Sequence, residues 1–472
     1  MFRKRHPSTA LASRDLKPIL QKLQKVNVAV ARACPGEPES RQPVHTVYGG
    51  AHLFRSDSAR KLGALGLAAL DEYAPDGRSL HEALQFGAAD GHPTAFAETV
   101  RARVADKLRR EPVEDFRLDF EDGYGNRPDD EEDGHARSAA GEVAAGFDAG
   151  TLPPFVGIRI KPMSKELHAR SLRTLDLFVT TLGGALKRRL PPNFIVTVPK
   201  IMADGQVAAV AATCTALERR LRLKPGSIRL ELMIETPQSI LTPDGSSALR
   251  GLTAAGGGRV TGAHFGTYDY TALCGITAAW QHMRHQACDF AKHMMQVGLA
   301  QTGVMLSDGA TNVMPVGPHR ATAGRPLTEP ERRENRAAVH RAWKIHFDDA
   351  RHSLVNGFYQ GWDLHPAQLP TRYAAVYDFF LSARPAATAR LRNFIDKAAQ
   401  ATLVGDVFDD AATGQGLLNF FARGLSSGAL TLDEARETGL TPDELHGRSF
   451  LKILENRRRE GGALPGPWRA RP

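Results

Sequence analysis

The sequence predicts an α/β fold: a closed (β/α)8 barrel with an N-terminal helical arm and a C-terminal all-helical extension. Three observations carry this. Short apolar and β-branched runs alternate with helical stretches eight times between residues 44 and 364, the pattern of a parallel barrel. Several runs end on a charged residue followed by a breaker. In RLELMIETP at 229–237, Leu230, Leu232 and Ile234 alternate with Glu231 and Met233, then Glu235 meets Thr236 and Pro237. In RVTGAHFGTYDY at 259–270, a similar run leads into a turn carrying Asp269. Beyond residue 370 the strand signal stops and helical periodicity alone remains.

Residues 8–33 place Leu11, Leu16, Ile19, Leu20, Leu23, Val26, Val28 and Val30 in a helical arm, and CPGEPESRQ at 34–42 is a breaker-rich linker. The first strand is 44–48, followed by helices at 58–73, 80–86 and 94–110. Strand two, 116–120, runs into Glu121, Asp122 and Gly123 and an acidic loop at 124–134. A helix at 135–149 leads to strand three, 155–160, ended by Lys161 and Pro162. After a helix at 165–186, strand four (193–198) ends at Pro199 and Lys200, with its helix at 207–221. Strands five and six are 229–234 and 259–265, followed by one long helix at 278–300. Strand seven, 303–306, leads into Ser307, Asp308 and Gly309, and a Gly/Pro-rich loop reaches residue 327. A helix at 330–357 precedes strand eight, 361–364, which His365 and Pro366 end.

The remaining predicted helices are 373–382, 385–403, 416–425, 432–438 and 442–459, with Pro385 read as a helix start. TLDEARETGLTPDEL at 431–445 has a helix-turn-helix look, but a helical cap is the preferred reading. The expected organisation is an arm and linker at 1–42, a barrel at 43–370 and a helical region at 371–472.

Composition narrows the function classes. The 472 residues carry 42% hydrophobic and 24% charged residues, enough for a large core. No run approaches a membrane span, and no apolar segment with a cleavage site follows the basic MFRKRH start. Cys34, Cys214, Cys274 and Cys288 lack ligand spacing, which suits reduced thiols in the cytoplasm and argues against a structural zinc. A net charge of +9 suits an anionic substrate. It argues less for nucleic acid, because the basic stretches also carry Glu.

Barrel geometry gathers strand C-termini on one rim, bringing together Glu121, Asp122, Arg159, Lys161, Lys200, Glu235, Asp269, Asp308 and His365. Charges of both signs there form either a satisfied ion-pair network or a site for a cation and an anionic ligand. Glu235 and Asp269 are the candidate metal ligands, since Mg²⁺ takes one or two carboxylates and keeps waters. Arg159 suits a carboxylate or an enolate oxygen, or else pairs with Glu121 or Asp122. Lys200 is expected to act as a charge toward substrate or a carboxylate rather than as a Schiff-base amine. His45 and His264 are strand histidines, and no glycine run matches a nucleotide fingerprint.

With LDFEDGYG at 118–125, IRIKP at 158–162, TVPK at 197–200, LMIETPQSI at 232–240, HFGTYDYT at 264–271 and GFYQGWDLHPAQL at 357–369, the chain resembles the HpcH/HpaI aldolase and citrate lyase beta subunit family over residues 44–380. The resemblance implies a phosphoenolpyruvate-binding-like TIM barrel that makes or breaks a C–C bond beside a 2-oxo acid or acyl thioester. It implies Mg²⁺ (or Mn²⁺) on Glu235 and Asp269, and Arg159 as the arginine that stabilises the enolate. Asp122 and Lys200 join Arg159 as catalytic candidates, and Glu121 and His264 join it as substrate-binding ones; the acceptor of a β-hydroxyl proton is Asp122, a metal-bound water or His45. A small anionic metabolite and a trimer or hexamer are the implied partners. A coenzyme A thioester is compatible, though no motif marks a site for it. The chain departs from the family in its long acidic loop, its FGTYDYT turn and its two helical extensions, which mark a divergent subgroup. The alternative is a catalytically weak barrel that binds an acidic metabolite or a partner protein.

Overall fold

The computed structural model describes residues 11–36, 38, 40–87, 92–396, 402–404, 407–409, 411–447 and 449–459. The basic start at 1–6 and the tail at 461–472 lie outside the described residues. Eight parallel strands close in chain order into a barrel. They are β1 (His45–Gly50), β2 (Asp115–Asp119), β3 (Phe155–Arg159), β4 (Phe194–Val198), β5 (Arg229–Ile234), β6 (Val260–Phe265), β7 (Met305–Ala310) and β8 (Gln360–Asp363). Closure is made by β8 on β1, with His45 opposite Gly361 and Val47 opposite Asp363.

The arm is α1 (Ser13–Ala33). Between β1 and β2 lie α2 (Ser58–Tyr73), α3 (Gly77–Leu84) and α4 (Pro93–Arg110). The next three crossovers are α5 (Asp129–Asp148), α6 (His168–Ala185) and α7 (Asp204–Leu221). Between β5 and β6 come α8 (Pro237–Ile240) and α9 (Leu249–Ala255), and α10 (Thr267–Leu273) and α11 (Gln286–Leu299) follow β6. A long helix, α12 (Glu329–Val355), leads to β8. After the barrel come α13 (Leu369–Asp396), a short antiparallel pair β9 (Thr402–Val404) and β10 (Val407–Asp409), α14 (Ala411–Ser426), α15 (Leu432–Arg436), α16 (Pro442–His446) and α17 (Phe450–Arg459).

Period-two alternation decides which strand residues meet the helices. Leu118, Ile158, Val196 and Leu232 are buried among the apolar core. The alternate positions reach one another through the barrel interior, which is polar. Arg117 pairs with Asp115, donates to Thr197 Oγ1 at 2.9 Å and lies 3.4 Å from Glu231 Oε2. Thr46 and Gln360 extend this network across β1 and β8. Such buried charges persist because each has a partner; removing one would cost about 3–5 kcal/mol.

Several local expectations change. The helix expected at 278–300 splits into a single turn at Ala278–Trp280 and α11, because the His285 ring accepts the Ala287 N–H and starts a new helix. Strand seven extends through Ser307 and Asp308, so Asp308 is not a rim residue: it is buried against Lys292 at 3.1 Å and Ser353 at 2.6 Å. Pro385 lies inside α13 rather than starting a helix; Phe380, Leu381, Ala387, Leu391 and Phe394 are buried on either side of it and hold the helix through the missing bond. The antiparallel pair β9 and β10 interrupts the expected all-helical region. The helix-turn-helix stretch becomes α15 and α16, whose capping acids pair with Arg103 and Arg457. Along α1, Leu16, Ile19, Leu20, Leu23, Val26 and Val30 form an exposed stripe. Among the described residues, no helix is long and apolar enough to cross a membrane.

Candidate active site

The C-terminal ends of β2 to β6 bring six of the seven candidate residues to one rim. Glu121 and Asp122 follow β2, Arg159 ends β3, Lys200 follows β4, Glu235 follows β5, and Asp269 lies in the first turn of α10 after β6. The seventh, His264, sits within β6, fully buried, its Nδ1 2.7 Å from Ser307 Oγ and its ring beside Trp362. Burial holds its imidazole down to about 4, so it is neutral.

Arg159 is the most constrained of these. Its Nε donates to Asp119 Oδ1 at 2.7 Å and its Nη2 to Asp119 Oδ2 at 2.5 Å, a two-pronged pair. Nη1 lies 3.0 Å from Glu121 Oε2, and the guanidinium stacks over Tyr48 and Trp362 at 5.0 and 5.2 Å. Asp119 also accepts the Glu121 and Gly123 N–H groups, so one carboxylate orients both the arginine and the acidic turn. A Cβ at Gly123 would stand 2.6 Å from Asp119 Oδ2, so this close approach requires glycine.

Lys200 is the hub of the acids. Its ammonium pairs with Glu121, with Asp122 Oδ2 at 3.0 Å and with Asp269 Oδ2 at 3.4 Å. Its backbone N–H donates to Glu235 Oε1 at 2.6 Å. Its φ of 49° puts a non-glycine residue in the left-handed region, a strain that aims both groups at the carboxylates. Burial alone would lower its pKa, but Glu121, Glu235 and Asp269 outweigh burial and keep it charged.

Glu235 is fully buried, and its carboxyl is pushed up to about 8 by burial, then by Asp269 and Glu121. A side chain at Gly266 would collide with this carboxylate, so the backbone leaves it room. Glu121 is also raised, chiefly by burial, whereas Lys200 and Arg159 overcome burial to hold Asp122 low. A buried carboxyl beside other acids is stabilised by a cation, and two carboxylates with open positions suit Mg²⁺. Among the described residues, no group of three or more His, Cys, Asp or Glu side chains closes on a single point as a metal cage.

Sequence reasoning missed Asp119, Tyr48 and Trp362. Asp119 was detectable: Arg117, Asp119 and Glu121 fall at every second position between Phe116, Leu118 and Phe120, and so share the inward face of β2. His45 starts β1 at the far end of the barrel from the rim. Its ring is 2.9 Å from Asp363 and accepts the Glu114 N–H at 3.1 Å, which removes it as a proton acceptor at the site.

Residues 23–453 match the family described as Domain of unknown function (DUF6986). No curated protein matches the chain. Among solved structures, a citrate lyase from Burkholderia xenovorans LB400 is 19% identical, with a TM-score of 0.50 over 73% of this chain and 93% of the other. A malate synthase from Haloferax volcanii, in a magnesium/glyoxylate complex, is 14% identical with a TM-score of 0.43, covering 90% and 93%. The protein CitE from Mycobacterium tuberculosis, in complex with magnesium and pyruvate, is 14% identical with a TM-score of 0.38, covering 71% and 91%. At these identities the likeness is one of fold, and the first match agrees with the closed barrel.

Proposed function

We propose that this chain, which belongs to the DUF6986 family, is a divalent-metal-dependent carbon–carbon lyase or aldolase that works through an enolate on a 2-oxo acid or acyl-thioester substrate. The observation that carries this is the rim itself: a fully buried Glu235 beside Asp269, facing an arginine held rigid by Asp119. The sequence motifs at these positions support the same reading.

Glu235 and Asp269 would hold Mg²⁺ or Mn²⁺. When bound, such a cation supplies Lewis-acid stabilisation of a 2-oxo or thioester oxygen. The chain's own groups account for the rest. In a 4-hydroxy-2-oxo acid, the C3–C4 bond breaks, its electron pair moves toward the C2 oxygen, and the C4 hydroxyl proton leaves as C4 becomes a carbonyl. Arg159, fixed before substrate arrives, lowers the energy of the enolate oxygen without reorganising. Asp122 is the exposed, ionised carboxylate of the rim and takes the hydroxyl proton, as a base that its pairing with Lys200 weakens. The enolate carbon then takes a proton to release the 2-oxo acid. Lys200 and Glu121 hold Asp122 and Arg159 in register, and His264 stays neutral one layer below. The homo-oligomer implied by the motifs belongs to the same proposal, with the exposed stripe of α1 as its contact.

One observation favours a second reading, a barrel that binds acidic metabolites without turnover: the Lys200 ammonium already neutralises the acids. Calorimetric titration with Mg²⁺, followed by pyruvate or oxaloacetate, separates the two. The lyase reading expects Mg²⁺ to bind and to make 2-oxo acid binding possible. Glu235→Gln and Asp269→Asn should each abolish both while keeping the wild-type circular dichroism spectrum. Metabolite binding indifferent to Mg²⁺ and to both variants would favour the second reading.

A further inference from the structure

On the same rim, between the ends of β1 and β8 and the start of α2, lies a cavity of about 270 Å³. Leu53, Phe54, Leu62, Phe116, Leu364 and Leu369 give it apolar walls. Gly49 adds no side chain, and a Cβ there would stand 2.9 Å from the Phe116 ring. The volume is roughly nine waters' worth, suited to a fragment of a ligand rather than a whole cofactor.

Two of its residues also belong to the charged site. Arg159 lies over the Tyr48 ring, and a Cβ at Gly50 would come within 2.6 Å of the Gly123 carbonyl, on the turn carrying Glu121 and Asp122. The strand order puts the β8/β1 seam across the barrel mouth from β4 and β5. A substrate whose 2-oxo acid end sits at Glu235 and Asp269, and which spans the mouth past Tyr48, would bring its far end to the cavity. The lining is mostly apolar, and its one ammonium, Lys61, is on the exposed side, 3.0 Å from Asp57. His365, whose Nδ1 accepts the Ala367 N–H, is kept neutral by burial.

We propose that this cavity receives an uncharged, apolar substituent, an alkyl chain or a phenyl ring, on C4 of a 4-hydroxy-2-oxo acid. The specificity is thus for an apolar aldehyde product, given that the charged rim is a carbon–carbon lyase site. Non-cleavable 2-oxo acids without the 4-hydroxyl test it by binding alone: pyruvate, 2-oxopentanoate, 2-oxohexanoate and 4-phenyl-2-oxobutanoate, titrated calorimetrically with Mg²⁺ present. Affinity should rise by roughly fourfold per methylene buried. Leu53→Asp and Leu364→Asp, at partly exposed positions that tolerate polarity (67% and 38%), should flatten the series and leave pyruvate unchanged. A flat series on wild-type protein that binds pyruvate overturns the apolar pocket and leaves the lyase reading standing. Failure of pyruvate to bind with Mg²⁺ overturns both. Undiminished binding of 4-phenyl-2-oxobutanoate to Glu235→Gln separates the cavity from the substrate site and also overturns the proposal.

Discussion

Glu235 keeps its proton to about pH 8 in the folded chain, against an ordinary value of 4.5. The folded state thus binds that proton more tightly than the unfolded one, and the stability it contributes is lost as pH rises from about 5 to 8. Without metal, wild-type protein should lose melting temperature over that window relative to Glu235→Gln, as differential scanning fluorimetry at a series of pH values would read. Parallel pH profiles would contradict the burial of this charge. Mg²⁺ binding should strengthen over the same window, since the ligand must be deprotonated. Arg159→Lys keeps the charge but loses the paired bonds to Asp119, and kcat should fall by about 10²-fold. A rate within twofold of wild type would remove Arg159 from the chemistry. At this scale the sequence shows which polar residues end strands, and six of the seven candidates share the rim. It does not show that Asp119, rather than Glu121 or Asp122, makes the paired bonds to Arg159, because both arrangements satisfy the same pattern of alternating charge. Nor does it show that Tyr48 and Trp362, whose rings pack together at 4.1 Å, both lie against the guanidinium, a meeting of strands more than three hundred residues apart in sequence.

At the scale of elements, the strands were legible because most are short buried runs with apolar or β-branched residues at least at every second position, such as Phe194 to Val198. Their ends were less so. Ser307, Asp308 and Gly309 are turn formers by composition, yet they continue β7 through an irregularity in its pairing with β8. Pro385 misled for a similar reason: local preference said boundary, while buried side chains on both sides of it keep α13 continuous. Since Pro385 is itself exposed, Pro385→Ala should restore the bond to the Leu381 carbonyl without disturbing packing. The gain is up to about 3 kcal/mol, read as a raised midpoint in thermal unfolding followed by circular dichroism. A lowered midpoint would mean the proline serves a packing role.

At the scale of the whole molecule, one continuous apolar cluster runs from Val44 to Ile453, so the C-terminal helices share the barrel's core. Residues far apart in sequence meet there: Arg103 of α4 is 2.7 Å from Glu434 of α15, and Tyr373 of α13 donates to the Pro112 carbonyl at 3.0 Å. The topology was legible because eight strand–helix alternations leave few ways to bury both faces of every strand. The docking of the last helices was not, since their apolar stripes do not name their partners. Closure turns acids scattered from residue 121 to residue 269 into one charged rim, and the central claim is that this rim breaks a C–C bond. The direct test is release of pyruvate, glyoxylate or acetyl-CoA by metal-stripped protein from 4-hydroxy-2-oxo acids and from malyl- and citryl-CoA. The expected result is cleavage of at least one substrate that Mg²⁺ or Mn²⁺ restores in the wild type but not in Glu235→Gln. Cleavage independent of both metal and Glu235, or none from well-folded protein across the panel, would contradict it.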